Sequence, residues 1–332
     1  MDPLTQGIVA TTAAQRISSP KKIVIASIIG FLSGLAPDID IFIRSNNDPL
    51  LFLEFHRQFT HSIFFIPIGG LICSLFFYYS FSKKFKFTFK ETYAYSTIGY
   101  ATHGIIDSFT TYGTQLLWPF TYERFAWNTI SVIDPLFTLP IFILCSFAVI
   151  KKDNKFAFYG IIWIFLYQFT GFVQKNRAEN IINDFAIKNG HQINHIEAKP
   201  SFGNIIVWKV IYSDNTFFYV NAVKLGLKEV IYPGEKIKKL DVKNDFKWLD
   251  ITSQQYKDLE RFRWFSNNYL GKSKNHNNVI YDIRFSAIPN EVEGLWGIRL
   301  DKNKNHDEHI EYITNRGSSI KRYNELIKMI IE

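Results

Sequence analysis

The chain has few cysteines and few charged residues for its length. Of its 332 residues, two are Cys and 20% are charged, whereas 47% are hydrophobic. Cys73 and Cys145 both lie inside apolar runs, so no disulfide framework is expected. The high hydrophobic content excludes an intrinsically disordered chain. The first residues lack the positive segment of a secretory signal peptide, so none is predicted.

The charges are distributed unevenly and divide the chain into two halves. Residues 1–173 carry 13 Lys or Arg and 10 Asp or Glu, and residues 174–332 carry 25 and 20. The first half is therefore predicted to be a membrane-embedded domain and the second a soluble α+β domain. The net charge of +8 forms no basic stripe, so membrane lipids rather than nucleic acids are the expected partners.

Five runs in the first half are long enough, or nearly so, to cross a hydrocarbon core of about 30 Å. They are Ile23–Ile43, Ser62–Phe81, Tyr93–Gly113, Ile130–Ile150 and Phe156–Val173. Residues 2–19 predict a further helix, with Asp2 as its N-cap and Pro3 in its first turn. Its small residues favour burial within the bundle, and an interfacial position is the alternative. The expected fold is a multi-pass bundle of five or six helices.

Lysine clusters predict the orientation of this bundle. They precede the first run, separate the second from the third, and separate the fourth from the fifth. Five spans place all three clusters on one side, which the positive-inside rule makes cytoplasmic. The loops 44–60 and 114–129, and the whole second domain, are then expected outside the cytoplasm.

Ionisable side chains occur in or beside these runs at one predicted depth, in the outer third of the bundle. Such groups cost about 2.5–3.5 kcal/mol at the centre of a membrane helix. They are Asp38, Asp40, His56, Arg57, His61, His103, Asp107 and Asp134. An extended backbone would place Asp38 and Asp40 on one side, and His103 and Asp107 share one helix face.

Three His and three Asp at one depth predict a mixed nitrogen and oxygen site for one or two divalent metals. Zinc is the first expectation, and manganese or iron are alternatives. The candidate ligands are Asp38, His61, His103, Asp107, Asp40 and His56. Such a centre would activate water to hydrolyse an ester or phosphodiester of a lipid or lipid-linked substrate.

Other side chains near these ligands have candidate roles in catalysis or substrate binding. Asp40 is also a candidate general base and His56 a candidate acid, while Arg57 would contact a substrate anion. Arg124, in the outer loop, is a second candidate anion contact. Asp134 either orients a ligand His from behind or simply caps the helix that begins at Pro135.

The second half predicts an α+β domain. Asn204–Tyr212 and Thr216–Val223 form a predicted hairpin, joined by Ser213-Asp214-Asn215. Further strands are expected at Lys228–Tyr232, Val279–Phe285 and Leu295–Leu300. Helices are expected at Gln174–Asn189, Ser253–Leu270 and Ser318–Ile331.

An ordered set of short motifs resembles the bacterial family of predicted membrane-bound metal-dependent hydrolases, some of which are LexA-regulated inner-membrane proteins. The motifs are Asp2-Pro3-Leu4-Thr5, Pro37-Asp38-Ile39-Asp40, His56-Arg57-x-x-Thr60-His61-Ser62, His103-x-x-x-Asp107, Thr110-Thr111-Tyr112-Gly113, Leu117-Trp118-Pro119-Phe120 and Ile133-Asp134-Pro135-Leu136. Longer members with a C-terminal domain are similar at Trp208, Arg261-Phe262-x-Trp264-Phe265, Asp282-x-Arg284-Phe285 and Ile288-Pro289. The resemblance implies a metal-dependent hydrolase of the bacterial inner membrane.

One position departs from that resemblance. The family commonly has Thr-His after Asp-Pro-Leu, and this chain has Gln6 after Thr5. If that His is a ligand in relatives, Gln6 would supply a weaker amide oxygen or leave one ligand fewer. Gln6 therefore leaves a catalytically inactive structural or stress-response membrane protein as one alternative to hydrolysis. An ion or small-solute transporter is the other, because carboxylates and His within a membrane also mark ion paths.

Overall fold

The structure is a computed structural model, and it describes residues 1–315 and 320–331. The chain divides into two compact units. The first comprises Met1–Phe42, Phe55–Val173 and Phe202–Ile205, and the second comprises Ile43–Glu54, Gln174–Ser201 and Ile206–Glu332. The first unit is helical and the second is rich in β-sheet.

Seven α-helices lie between residues 3 and 188. They are α1 (Pro3–Ile17), α2 (Ile23–Leu35), α3 (Leu51–Phe55), α4 (Ile66–Ser80), α5 (Phe89–Ser108), α6 (Pro135–Lys151) and α7 (Lys155–Lys188). Short 3-10 helices occur at Ala36–Phe42, Phe59–His61, Ile63–Phe65 and Ser82–Phe85. Asp2 caps α1 by accepting a hydrogen bond from the Thr5 amide, as the sequence predicts. Ten of the 15 residues of α1 are buried, so α1 is an interior helix rather than an interfacial one.

Small residues let α1 and α2 approach closely. A Cβ added at Gly34 would lie 2.3 Å from Ala10 Cβ, and one at Gly30 would lie 2.5 Å from Ala14 Cβ. Only glycine therefore fits at these two positions of α2, and this small-residue packing is typical of helix pairs in membranes. The close contact fixes the end of α2, from which the chain continues directly to Asp38 and Asp40.

Three helical segments are long and apolar enough to cross a membrane among the residues described. They are Ile23–Phe42, Ile63–Ser80 and Lys155–Lys188, and α6 is a shorter apolar helix. The helix predicted at Gln174–Asn189 is confirmed as far as Lys188, and these residues continue α7, which runs for 34 residues without a break. No glycine or proline interrupts the sequence between Val173 and Lys188, so nothing in it ends the helix there.

The second unit contains two antiparallel sheets. Its strands are β1 (His195–Pro200), β2 (Val207–Ser213), β3 (Phe217–Leu225), β4 (Glu229–Tyr232), β5 (Lys236–Lys238), β6 (Leu270–Lys272), β7 (Val279–Asp282), β8 (Trp296–Arg299) and β9 (Glu311–Thr314). One sheet has the order β1-β2-β3-β4 with β5 also paired to β3, and the other has the order β6-β7-β8-β9. The predicted hairpin is confirmed as β2–β3, whose turn is closed by Asp214 accepting bonds from the amides of Thr216 and Phe217.

Three helices accompany these sheets: α8 (Val242–Asp245), α9 (Gln254–Phe265) and α10 (Ile320–Ile331). The predicted helix over Ser253–Leu270 is too long, because Asn267 and Asn268 adopt positive φ angles of 49° and 61°. Two successive left-handed residues cannot continue a right-handed helix. Ser253 is the N-cap of α9 rather than part of it. Of the predicted terminal helix, residues 318–319 lie outside the described part.

Arg261 on α9 holds the segment Ile43–Glu54 within the second unit. Its guanidinium bonds both carboxylate oxygens of Asp48, at 3.0 and 2.8 Å, and also bonds Glu54 and Asp258. Asp258 in turn contacts His309 Nδ1 at 2.9 Å. Asp48, Asp258 and His309 lie close enough to hold a metal ion, but both of these carboxylates already form ion pairs with Arg261.

Candidate metal centre

Three structural elements bring the candidate ligands together. Asp38 and Asp40 lie on the 3-10 helix Ala36–Phe42, and His61 ends the 3-10 helix Phe59–His61. His103 and Asp107 occupy one face at the end of α5, as their spacing predicts. The extended backbone expected for Asp38 and Asp40 is wrong, because the segment continues from α2 as a tight helix.

Four donor atoms converge at the centre of this arrangement. His61 Nε2 lies 3.5 Å from Asp38 Oδ1 and 3.4 Å from Asp107 Oδ2. His103 Nε2 lies 3.3 Å from Asp38 Oδ1 and 3.7 Å from Asp107 Oδ2. These four residues form a group whose ligand atoms all lie within 4.8 Å of one another.

Two of these donor atoms, the buried His61 Nε2 and His103 Nε2, lack a hydrogen-bond partner among the described residues. The third buried donor atom, Asp107 Oδ2, forms an ion pair with Arg57 Nε. Buried polar atoms are normally satisfied, so a cluster of unsatisfied ones needs a physical reason. Ligands about 2.0–2.1 Å from a tetrahedral ion lie about 3.3–3.4 Å from each other, which fits the spacing here. The side chains therefore fit a divalent metal ion such as zinc.

Both imidazole rings are held with Nε2 towards this centre. His103 Nδ1 pairs with the main-chain carbonyl of Gly34, which fixes the proton on Nδ1 and leaves the Nε2 lone pair for a metal. His61 Nδ1 lies 3.0 Å from Thr60 Oγ1 and 3.2 Å from Asp40 Oδ2. The role of the Gly34 carbonyl has no signal in the sequence, because any residue type supplies such an oxygen.

Asp40 lies behind His61 and connects it to His56. Its Oδ2 accepts hydrogen bonds from the Arg57 amide at 3.0 Å and from Thr60 Oγ1 at 2.7 Å. Its Oδ1 pairs with His56 Nδ1 at 2.8 Å. Asp38, Asp40 and His56 also form a second group close enough to hold a metal. With both oxygens engaged, Asp40 is well placed to orient the two imidazoles.

Replacing Asp40 by Asn is expected to weaken metal binding without abolishing it. The amide keeps the shape but loses the charge that holds His61, and changes behind ligands typically cost about 10–100-fold in affinity. Competition with a chromophoric chelator measures this loss on purified protein. The exposed Glu123 provides a matched control, because its carboxylate takes part in none of the contacts of the candidate ligands described above. An unchanged affinity in Asp40→Asn would contradict the orienting role.

Arg57 and Gln6 contact the ligand carboxylate of Asp107. Arg57 Nε lies 2.9 Å from Asp107 Oδ2, and its guanidinium donates to Thr110 Oγ1 at 2.9 Å. Arg57 is buried and has a positive φ of 64°, so it is held in a strained conformation. Gln6 Nε2 donates to Asp107 Oδ1 at 2.7 Å, and the Met1 nitrogen contacts the same oxygen. Gln6 therefore contacts the candidate ligand Asp107, to which it donates a hydrogen bond from its amide NH₂.

The two remaining candidates lie outside the group of donor atoms. Arg124 donates to the carbonyls of His56, at 3.0 Å, and Gly113, at 3.3 Å, and its guanidinium lies over the Tyr112 ring. Asp134 caps α6 and accepts a 2.8 Å hydrogen bond from the Tyr167 hydroxyl. The helix-capping alternative for Asp134 is confirmed. In the described residues its hydrogen bonds go to α6 and Tyr167 rather than to a ligand His.

Comparison with known proteins identifies the family. The family model described as YdjM inner membrane protein matches residues 1–178, which is more than half of the chain and includes every candidate ligand. The chain belongs to this family. The resemblance seen in the motifs is confirmed, and membership supports a location in a membrane.

A curated relative covers a smaller region. The chain is 30% identical over 111 residues to YfhP of Bacillus subtilis (strain 168), a protein described as uncharacterized. The match covers 33% of each protein, so the chain spans about a third of the length of this relative. No solved structure shows significant similarity to the chain. The family name describes an inner membrane protein, and neither name states a reaction.

Proposed function

We propose that this protein is a membrane-bound metal-dependent hydrolase that cleaves an ester or phosphodiester of a lipid or lipid-linked substrate. The observation that carries the proposal is the convergence of the buried atoms His61 Nε2, His103 Nε2 and Asp107 Oδ2 around Asp38, with neither imidazole nitrogen hydrogen-bonded among the described residues. When bound there, a divalent ion supplies Lewis acidity and lowers the pKa of water. Zinc is the first candidate, and manganese or iron are the alternatives.

The exposed members of the site define where a substrate would approach. The side chains of Asp38 and His56 are 25% and 20% exposed, whereas those of His61, His103 and Asp107 are completely buried. Ile39 and Phe42, on the same short helix as Asp38, are exposed apolar residues. A substrate with an apolar part next to its scissile group would contact both the carboxylate and these side chains, which favours a lipid.

The chain itself supplies groups that can move a proton. Asp40 holds His56 through Nδ1, which leaves His56 Nε2 on the partly exposed side of the pair. A His oriented by a carboxylate in this way is a common general acid or base. Arg57 and Arg124 flank the Tyr112 ring, at 4.9 and 5.6 Å. Arg57 primarily balances the charge of Asp107. Either Arg57 or Arg124 would also contact the anionic group of the substrate.

The lysine clusters of the sequence complete the proposed topology. They support a multi-pass protein of the bacterial inner membrane with cytoplasmic lysines and an extracytoplasmic second unit. In this arrangement the metal centre lies towards the outer surface. Lipid headgroups of the outer leaflet would then be its nearest substrates.

The test is hydrolysis of a panel of phospholipids and lipid-linked phosphates by purified, metal-loaded protein in detergent or nanodiscs. We expect turnover in the wild-type protein and a loss of about 10²–10⁴-fold in His56→Ala, the range typical of general acid–base catalysis. His56→Ala should retain the metal if His56 is not a ligand of the main centre. The exposed Glu123→Gln variant should keep full activity. A metal-loaded wild-type protein that cleaves nothing in the panel would contradict the proposal.

A second candidate function follows from the number of ligands. Four protein ligands around zinc are typical of structural sites, whereas catalytic sites keep an open position. Asp38, His61, His103 and Asp107 together can fill a tetrahedral shell, so the metal would then only stabilise the bundle. Metal removal would lower the melting temperature in either case, but only the hydrolase would lose an activity.

A further inference from the structure

The turn between β3 and β4 presents an apolar side chain at its tip. Leu225 pairs with Glu229, so Gly226, Leu227 and Lys228 form a three-residue turn. Leu227 is fully exposed, and Lys224 and Lys228 lie on either side of it. An exposed apolar side chain beside basic residues is the combination found in segments that lie in a membrane interface.

The turn lies beside α7 at the residues that follow its apolar part. Gln174 Nε2 donates to the Leu225 carbonyl at 3.5 Å, and Arg177 forms a 2.9 Å ion pair with Glu229. Arg177 also donates to Gln174 Oε1 at 2.8 Å, which links the two contacts. Both strands that flank the turn, β3 at Leu225 and β4 at Glu229, are therefore bonded to residues 174–177 of α7.

That level corresponds to the edge of a bilayer. Phe165, Phe169 and Phe172 form an exposed apolar stripe on α7, and this stripe ends two residues before Gln174. At a rise of 1.5 Å per residue, Arg177 lies about 8 Å beyond Phe172 along the helix axis. The polar headgroup region on each side of the hydrocarbon core is about 5–8 Å thick. Residues 174–177, and the turn beside them, thus lie in or next to the headgroups.

We propose that Gly226–Lys228 is a membrane-contact turn, in which Leu227 enters the interface and Lys224 and Lys228 bind anionic lipid phosphates. The contacts of the turn with Gln174 and Arg177, which follow the apolar part of α7, and the charge of the two lysines favour lipid over a protein partner. Glu229, the acidic residue of the turn, is neutralised by Arg177 and would not repel anionic headgroups. This inference depends on the membrane location of α7 and not on the proposed hydrolase activity.

The experiment places an environment-sensitive fluorophore on Leu227→Cys in the full chain, reconstituted in phosphatidylglycerol nanodiscs. The native Cys73 and Cys145 are buried, and wild-type protein treated with the same fluorophore measures any background labelling of them. We expect blue-shifted emission that is quenched by lipids brominated in the upper acyl chain. The control is Asn275→Cys, in the exposed turn between β6 and β7, whose emission should remain that of water.

The charge component is tested by adding Lys224→Glu and Lys228→Glu to the labelled protein. We expect the quenching in anionic nanodiscs to fall towards its value in neutral ones. Emission at position 227 that matches position 275 in every lipid would overturn the proposal and leave the turn open to a soluble partner. If the quenching stays the same after Lys224→Glu and Lys228→Glu, the two lysines do not bind anionic lipid phosphates.

Discussion

Protein carrying His103→Ala is expected to purify in folded form but without its metal. The substitution removes one of four donor atoms, and it removes the ring that the Gly34 carbonyl orients. Changing a residue that orients a ligand typically lowers metal affinity about 10–100-fold. Removing a ligand itself should lower the affinity by more than about 100-fold. Elemental mass spectrometry after loading with zinc or manganese measures the content directly.

The control for this experiment is a histidine away from the centre. His276 is exposed in the second unit, and His276→Ala should keep the wild-type metal content. Because removal of a buried ring also disturbs packing, gel filtration and circular dichroism should accompany the measurement. Asp107→Asn, which preserves side-chain shape, provides a second variant with the same expected loss. Full metal content in both variants would refute the site.

Gly104→Ala is expected to damage the centre although Gly104 is not a ligand. A Cβ at this position would lie 2.1 Å from the carbonyl oxygen of His61 and 3.0 Å from its carbonyl carbon. Because the clash is with main-chain atoms, the segment Phe59–His61 must move away from α5 and take the His61 ring with it. We expect a loss of about 1–3 kcal/mol in stability, typical of overpacking, together with weaker metal binding.

Thermal unfolding and metal titration of the purified variant check this expectation. Gly160→Ala is the matched control, since its Cβ would meet the Thr12 side-chain methyl at 3.0 Å, which can shift, and no main chain. Alanine also has the higher helix propensity, so Gly160→Ala should be close to neutral or slightly stabilising. Equal behaviour of the two variants would show that α5 and His61 do not pack as closely as described.

Local rules predicted much of the architecture. Asp2 and Pro3 start α1 because capping depends on adjacent residues alone. The spacing of His103 and Asp107 places both on one face because helix periodicity is fixed. The hairpin at Ser213-Asp214-Asn215 follows from turn chemistry within a few residues. In each case the determining atoms lie within about one helical turn or one β-turn of each other.

Local rules also failed where two structures were compatible with the sequence. Asp38 and Asp40 follow Pro37, and either an extended segment or a tight helix satisfies that pattern. The structure has the helix, and Asp40 lies behind His61 while Asp38 faces the donor atoms. The apolar run that ends at Val173 and the helix predicted from Gln174 form one continuous helix, because the polar residues after Val173 are also good helix formers.

The sequence by itself determined the residue types of the candidate site and the membrane character of the first half. Only the tertiary structure decided which atoms meet. Arg57 balances Asp107 across 50 residues, Gly34 orients His103 across 69, and Arg261 holds Asp48 across 213. Such pairings depend on how helices pack and not on the residues between them, because a main-chain carbonyl or a charged side chain gives no sign of its partner. The sequence therefore indicated which types of ligand the site contains. The fold decided which side chains are candidate metal ligands and which ones hold those ligands in place.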